Sequence, residues 1–270
     1  MSTSSRYTIN RFSEKLQLAR RYAPGIIGLK PSDVLIASFP KSGNTWVRFL
    51  LCNYMLITEC KNTEDIIVDF HVLDKTMPAL GFSNLLEPWQ HDSLPRFVKT
   101  HRTNRFPLFL PRRVIYVLRD PRDVMVSYFH FQRAHTLHNY EGDFADFIRH
   151  PKYGLEANIQ HFNSWKNRIT HLVLYEDLKT NTDECLGNLL ESVGVAPKQA
   201  TIESAIELSS FNRIRSLQSA TGISGQNRFT EGFRFARQGK SGQWDDIFGE
   251  HDRKYYTELC DKYEFSKYST

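Results

Sequence analysis

Residues 32–51 read S-D-V-L-I-A-S-F-P-K-S-G-N-T-W-V-R-F-L-L, and the rest of the chain is organised around them. Asp33 to Phe39 is a short apolar, β-branched run of the kind that forms a buried strand. Pro40 ends it, because proline has no N–H to give to a sheet ladder. Lys41-Ser42-Gly43-Asn44 is a polar turn in which Gly43 can take backbone angles closed to other residues. From Thr45 the pattern turns helical, with Trp46, Phe49, Leu50 and Tyr54 on one face. A strand, a tight turn and a helix start make an anion cradle, since free N–H groups and the positive end of the helix dipole converge there. Lys41 adds a full charge, so the expected occupant is a phosphate or a sulfate. The spacing is not G-x-x-x-x-G-K-[ST], in which lysine follows the second glycine. Here Lys41 precedes Gly43, and the shorter turn is expected to wrap one such group rather than two.

Two more strands follow the same logic. Arg96 to Lys99 (R-F-V-K) leads into Thr100-His101, and Val114 to Leu118 (V-I-Y-V-L) leads into Arg119. Helices downstream of both predict crossover units and a parallel sheet, whose ligands sit beyond the carboxyl ends of the strands. Lys41, His101 and Arg119 each lie just past such an end. Asp120 suits the cap and Pro121 the first turn of the next helix, which carries Ser127 two turns on. His171 to Tyr175 is a further strand, with Glu176-Asp177 opening a helix. Helices are expected over Arg11 to Tyr22, Thr182 to Val193, Ala200 to Leu208 and His251 to Tyr263. Thr58 to Pro95 and Leu217 to Gly242 read as irregular segments of the lid or binding-loop kind. Within the second, Arg237 and two glycines precede Trp244, a loop suited to folding over an anion and too polar for the core.

The chain has 270 residues, 24% charged, with a net charge of +5, which bounds it to one sizeable core and an expected single domain over 1–270. The mild positive charge suits a small anionic ligand better than a nucleic acid. No apolar run reaches the roughly 18 residues of a membrane span, and residues 1–10 lack a signal-peptide core. Cys52, Cys60, Cys185 and Cys260 have no C-x-x-C spacing, and H-E-x-x-H is absent. The reading is a reduced, cytoplasmic protein with no metal, no membrane and no nucleic-acid partner.

Three segments together, F-P-K-S-G-N-T-W, Y-V-L-R-D-P-R-D-V-M-V-S-Y-F and R-Q-G-K-S-G-Q-W, resemble the signature motifs of the cytosolic-type sulfotransferases, in order and from about Asp33 to Trp244. Those enzymes move a sulfuryl group from 3′-phosphoadenosine 5′-phosphosulfate (PAPS) to a hydroxyl or amine, leaving PAP. The resemblance implies an α/β, P-loop-like fold with a central parallel sheet flanked by helices. It places Lys41, Ser42, Gly43, Asn44 and Thr45 around the 5′-phosphosulfate, and Trp46 and Phe211 on the two faces of adenine, with Tyr175 and Ser209 nearby. Arg119 and Ser127 match the pair that holds the 3′-phosphate, with Arg237, Gln238 and the backbone of Gly239. His101 matches the catalytic base and Lys99 a lysine at the reaction centre. A histidine near its reference pKa of about 6.5 suits the task, and activity is then expected to fall on the acid side near that value. Asn44 replaces a common threonine and Gln238 a common lysine, and D-D-I-F-G after Trp244 does not match the family's dimer motif, which leaves the oligomeric state open. A non-catalytic nucleotide-binding module and a small-molecule kinase are the competing readings. Phe82, Trp89, Phe106, Phe129 and Phe131 point to an apolar or aromatic small-molecule acceptor.

Overall fold

A computed structural model describes residues 23–60, 67–104, 113–137, 139–223, 225–235 and 239–268. The expected helix at Arg11 to Tyr22, and Phe106, Arg237 and Gln238, lie outside those residues.

The centre is a four-stranded, all-parallel sheet in the order β2-β1-β3-β4, with β1 Val34–Ala37, β2 Phe97–Thr100, β3 Arg113–Leu118 and β4 His171–Leu174. All four residues of β1 are buried because both faces of the sheet are covered. Strand side chains alternate, so Val34 and Ile36 enter one core and Leu35 and Ala37 the other. The first core is closed by α1 (Asn44–Glu59), α2 (Phe70–Thr76), α7 (Thr182–Ser192), α8 (Gln199–Leu208) and α9 (Phe211–Thr221). The second is closed by α3 (Pro121–Ala134), α4 (Phe144–Arg149), α5 (Leu155–Trp165) and α10 (Glu250–Tyr263). A short α6 (Tyr175–Thr180) follows β4 directly. At the start of β1 and β2, buried Asp33 and Arg96 pair at 2.7 Å, and Arg96 also donates to the carbonyls of Gly28 and Leu85.

Several expectations change. Thr58 to Pro95 is not irregular throughout: Asp69 caps α2 by accepting from the His71 and Val72 amides, and Phe70, Leu73, Met77, Leu80, Leu85 and Leu94 are core residues. A helix of two turns, stopped at Pro78, carries too little periodic signal to be seen. Among the described residues no helix separates β2 from β3. In Leu217 to Gly242, α9 continues to Thr221, and Phe229, Phe233 and Phe235 pack against the first core. Trp244 is half-buried against the second core, under the Arg122 guanidinium 3.6 Å from its ring centre. In α1 the apolar contact wraps beyond one face: Val47, Leu51, Cys52 and Met55 are as buried as Phe49, Leu50 and Tyr54. Among the described residues no helix is long and apolar enough to cross a membrane.

Candidate active site at the carboxyl ends of the strands

The strand order reverses at β1: β2 lies on one side of it and β3 on the other, the arrangement that opens a crevice beyond the strand ends. A cavity of about 550 Å³ occupies that place. Every strand contributes to its wall. After β1 come Pro40, Lys41, Gly43, Asn44, Thr45 and Trp46; from β2, Lys99 and His101; after β3, Arg119 and then Ser127, Tyr128 and Phe131 of α3; after β4, Tyr175, Lys179 and Thr182. Phe211 and Ile214 of α9, with Phe235, Gly239 and Gln243, close the remaining side. Twelve of the expected site residues thus meet in one place, although 198 positions separate Lys41 from Gly239 in the chain.

The turn after β1 is tighter than its sequence suggests. Gly43 has φ 101°, as expected, but Lys41 is also left-handed at φ 71°. A Cβ on Gly43 would stand 2.5 Å from the Tyr175 ring, so the glycine is required by packing as well as by backbone angle. The Lys41 ammonium lies 3.8 Å from the centre of the Phe235 ring and 4.8 Å from that of Phe131, within cation–π range. Asn44 turns back toward β1, donating to the Ile36 carbonyl and to the Ser38 hydroxyl, each at 3.2 Å.

Two expected residues stand behind the wall rather than in it. Ser42 is buried and does not line the cavity. Ser209 is fully buried: its carbonyl accepts from Trp46 Nε1 at 3.0 Å and its hydroxyl from Asn53 at 2.9 Å, so it sets the tilt of the tryptophan. Of the aromatic acceptor candidates, only Phe131 lines the cavity among the described residues. Phe82 is 66% exposed elsewhere, Trp89 packs on His91 and donates to the Leu94 carbonyl, and Phe129 packs on Phe144 and Phe147. Spacing alone could not separate these, because which face of an element meets the cavity is settled by packing.

The electrostatics are one-sided. Lys41, Lys99, Arg119 and Lys179 line the cavity, and no Asp or Glu does among the described residues. Burial, followed by the charge of Arg48, lowers the Lys99 pKa to about 8, with Asp74 opposing. His101 has open surface, but that surface is the cavity wall. Burial in the body of the protein, then the Lys99 charge, hold its pKa well below 6.5, while its bond to the Ser38 backbone opposes the shift. The expected acid limb therefore moves down from 6.5. His101 Nδ1 is 2.8 Å from the Ser38 carbonyl, which can only accept. The ring proton is thus on Nδ1, and the lone pair is on Nε2.

Arg119 is 7% exposed, lies over the Tyr175 ring at 4.5 Å and donates to the Lys240 carbonyl at 2.8 Å. Among the described residues its buried Nε–H has no hydrogen-bond partner. Asp123 was not singled out by the sequence reading. One turn after Arg119, it pairs with that arginine at 3.6 Å and accepts from the Gly242 and Trp244 amides at 2.8 and 3.3 Å, tying the 239–244 loop to α3. The i, i+4 Arg–Asp spacing is the signal that could have found it. Ser38, Tyr128, Lys179 and Phe235 carried no comparable mark.

A sulfotransferase domain model matches residues 31–268. The chain belongs to the sulfotransferase family. It is 29% identical over 270 residues to sulfotransferase 1A1 of Mus musculus, covering 87% of each chain. With sulfotransferase 1A1 of Canis lupus familiaris it shares 30% over 238 residues, covering 81% of this chain and 79% of the relative. The fold matches a crystal structure of retinol dehydratase in complex with retinol and PAP, with a TM-score of 0.66 at 23% identity over 92% of this chain and 85% of that one.

Proposed function

We propose that the cavity binds PAPS and that His101, Lys41 and Lys99 carry its sulfuryl group to a hydroxyl or amine of a small-molecule acceptor. The observation that carries this reading is the meeting, among the described residues, of four cationic side chains and a neutral imidazole, with no Asp or Glu in the cavity lining, at the ends of four parallel strands. A donor carrying a 3′-phosphate and a 5′-phosphosulfate matches that charge, and the Arg119 Nε–H, without a partner among the described residues, fits a phosphate oxygen. When bound, PAPS supplies a sulfuryl group on a phosphate leaving group.

The residues then divide the work. His101 Nε2 accepts the proton of the attacking hydroxyl, since an alcohol near its ordinary pKa is a poor nucleophile. Lys41 offers its ammonium to the charge that grows on the departing phosphate oxygen, and Lys99 holds positive charge beside the transferring group. Arg119 and Ser127 would hold the 3′-phosphate together with the backbone of Gly239. Gly239 has φ 61°, and a Cβ there would meet the Phe211 ring at 2.9 Å, so this loop needs a glycine to close beside the base-stacking ring. Trp46 and Phe211 bracket adenine. Tyr128, Phe131 and Phe235 offer an apolar wall to the acceptor, in keeping with the retinol bound by the retinol dehydratase of similar fold.

The direct test is incubation of the purified chain with PAPS and a panel of phenols, sterols, amines and sugars, with ATP as control donor. Sulfated product with PAPS alone is expected. The 3′-phosphate assignment is tested by titrating wild type and Arg119→Ala with PAP and with AMP. Loss of a charge-assisted hydrogen bond is expected to weaken PAP roughly 10- to 150-fold and AMP little. Equal affinity of the wild type for the two nucleotides would overturn the assignment.

A further inference from the structure

Beneath His101 lies a buried polar chain that the reaction does not use directly. His161 of α5 is 2% exposed, with Phe39 edge-on to its ring at 5.8 Å, and its Nδ1 is 2.8 Å from Tyr116 Oη. The carbonyls of His101 and Arg102 face the same imidazole and can only accept, which leaves Nδ1 to accept the Tyr116 proton. A neutral imidazole with an accepting Nδ1 must carry its proton on Nε2. Among the described residues that buried Nε2 has no partner in full hydrogen-bond geometry. The neighbouring α5 residues grip the same turn: Trp165 Nε1 donates to the Arg102 carbonyl at 2.9 Å, and Ser164 Oγ accepts from the Asn104 amide at 3.1 Å. An N–H buried without a full bond, aimed at the peptide that carries the base, calls for a reason beyond packing.

We propose that His161 is a positioning residue for His101: oriented by Tyr116, its Nε2–H steers the His101–Arg102 peptide and so fixes the ring of the base at the cavity wall. The inference rests on His101 being the base. Strand β3 and helix α5 thereby act on the reaction without touching substrate or PAPS.

The test compares kcat for an aliphatic alcohol with kcat for a nitrophenol, at saturating PAPS, in wild type, His101→Ala, His161→Phe, His161→Gln and Tyr116→Phe. An already ionised phenol needs the base little, so a misplaced base penalises the alcohol selectively. His161→Phe keeps a planar ring and is expected to lower kcat for the alcohol about tenfold, a fraction of the 10²–10⁴ that a general base contributes. The nitrophenol rate and PAP affinity are expected to stay near wild type. His161→Gln, which keeps an N–H donor, is expected to recover part of the loss, and Tyr116→Phe to show the same selectivity at smaller size. Should His161→Phe not fold, Tyr116→Phe carries the comparison. Equal losses for both acceptors, or none, overturn the inference while selective loss in His101→Ala leaves the base assignment standing. No selectivity in His101→Ala itself overturns the base, and this inference with it.

Discussion

His101 joins two features that work in the same direction. The Ser38 carbonyl holds the proton on Nδ1, and burial with the nearby Lys99 charge keeps the ring neutral. An NMR titration of its imidazole is expected to show a midpoint well below 6.5, and Lys99→Met is expected to raise it by removing a repelling cation. A wild-type midpoint at or above 6.5 would contradict the environment described. The sign for stability follows: the folded pKa is depressed, so between it and the unfolded value of about 6.5 the unfolded chain holds more protons. Stability is expected to fall as pH drops below about 6.5, and His161, pushed down to about 4 by burial, adds to the loss. Much at this scale was legible in the sequence, because His101 and Arg119 follow directly on a strand and Lys41 lies in the turn after one. The pKa of His101 was not, because it depends on burial and on a lysine whose own burial is a property of the assembled sheet.

The strand–turn–helix of β1 and α1 was read correctly as an element from Pro40, Gly43 and the apolar run that follows. Its strain was not. Two left-handed residues sit in one turn, at Lys41 and Gly43, and only one is a glycine. Such strain persists where surrounding structure enforces it, commonly at binding sites. Gly43→Ala places a methyl group 2.5 Å from Tyr175 in a left-handed conformation. The expected cost is roughly 1–2 kcal/mol from the backbone alone. Displacement of Tyr175, over which Arg119 rests, is expected to weaken PAP as well. Denaturant unfolding and PAP titration check both, and unchanged PAP affinity would show that the turn tolerates the shift. The short α2 was missed at this scale because two turns leave little periodicity to read, and its cap, Asp69, becomes recognisable only with the helix in view.

Across the whole molecule, a buried ion pair and the cavity lie at opposite ends of the sheet. The Asp33–Arg96 pair is buried where β1 and β2 begin, with the cavity where they end. Breaking a buried pair leaves one charge without a partner, at a cost of about 3–5 kcal/mol. Asp33→Ala is expected to lower the unfolding free energy by that order, with PAP affinity of the remaining folded protein near wild type. A stable variant that had lost PAP binding would show the two ends to be coupled.

The sequence by itself determined the parallel α/β class and the gathering of Lys41, Lys99, His101 and Arg119 beyond the strand ends. Those rest on local signals: β-branched runs, turn residues, caps, and motifs whose chemistry is written in consecutive residues. The tertiary structure alone decided which aromatics face the cavity, that Ser42 and Ser209 stand behind its wall, and that Asp123 binds the 239–244 loop to α3. It also decided the lowered pKa of His101 and the buried pairing of Tyr116 with His161. Each of these is a contact between residues far apart in the chain, settled by how two cores pack on one sheet, and no local pattern encodes it.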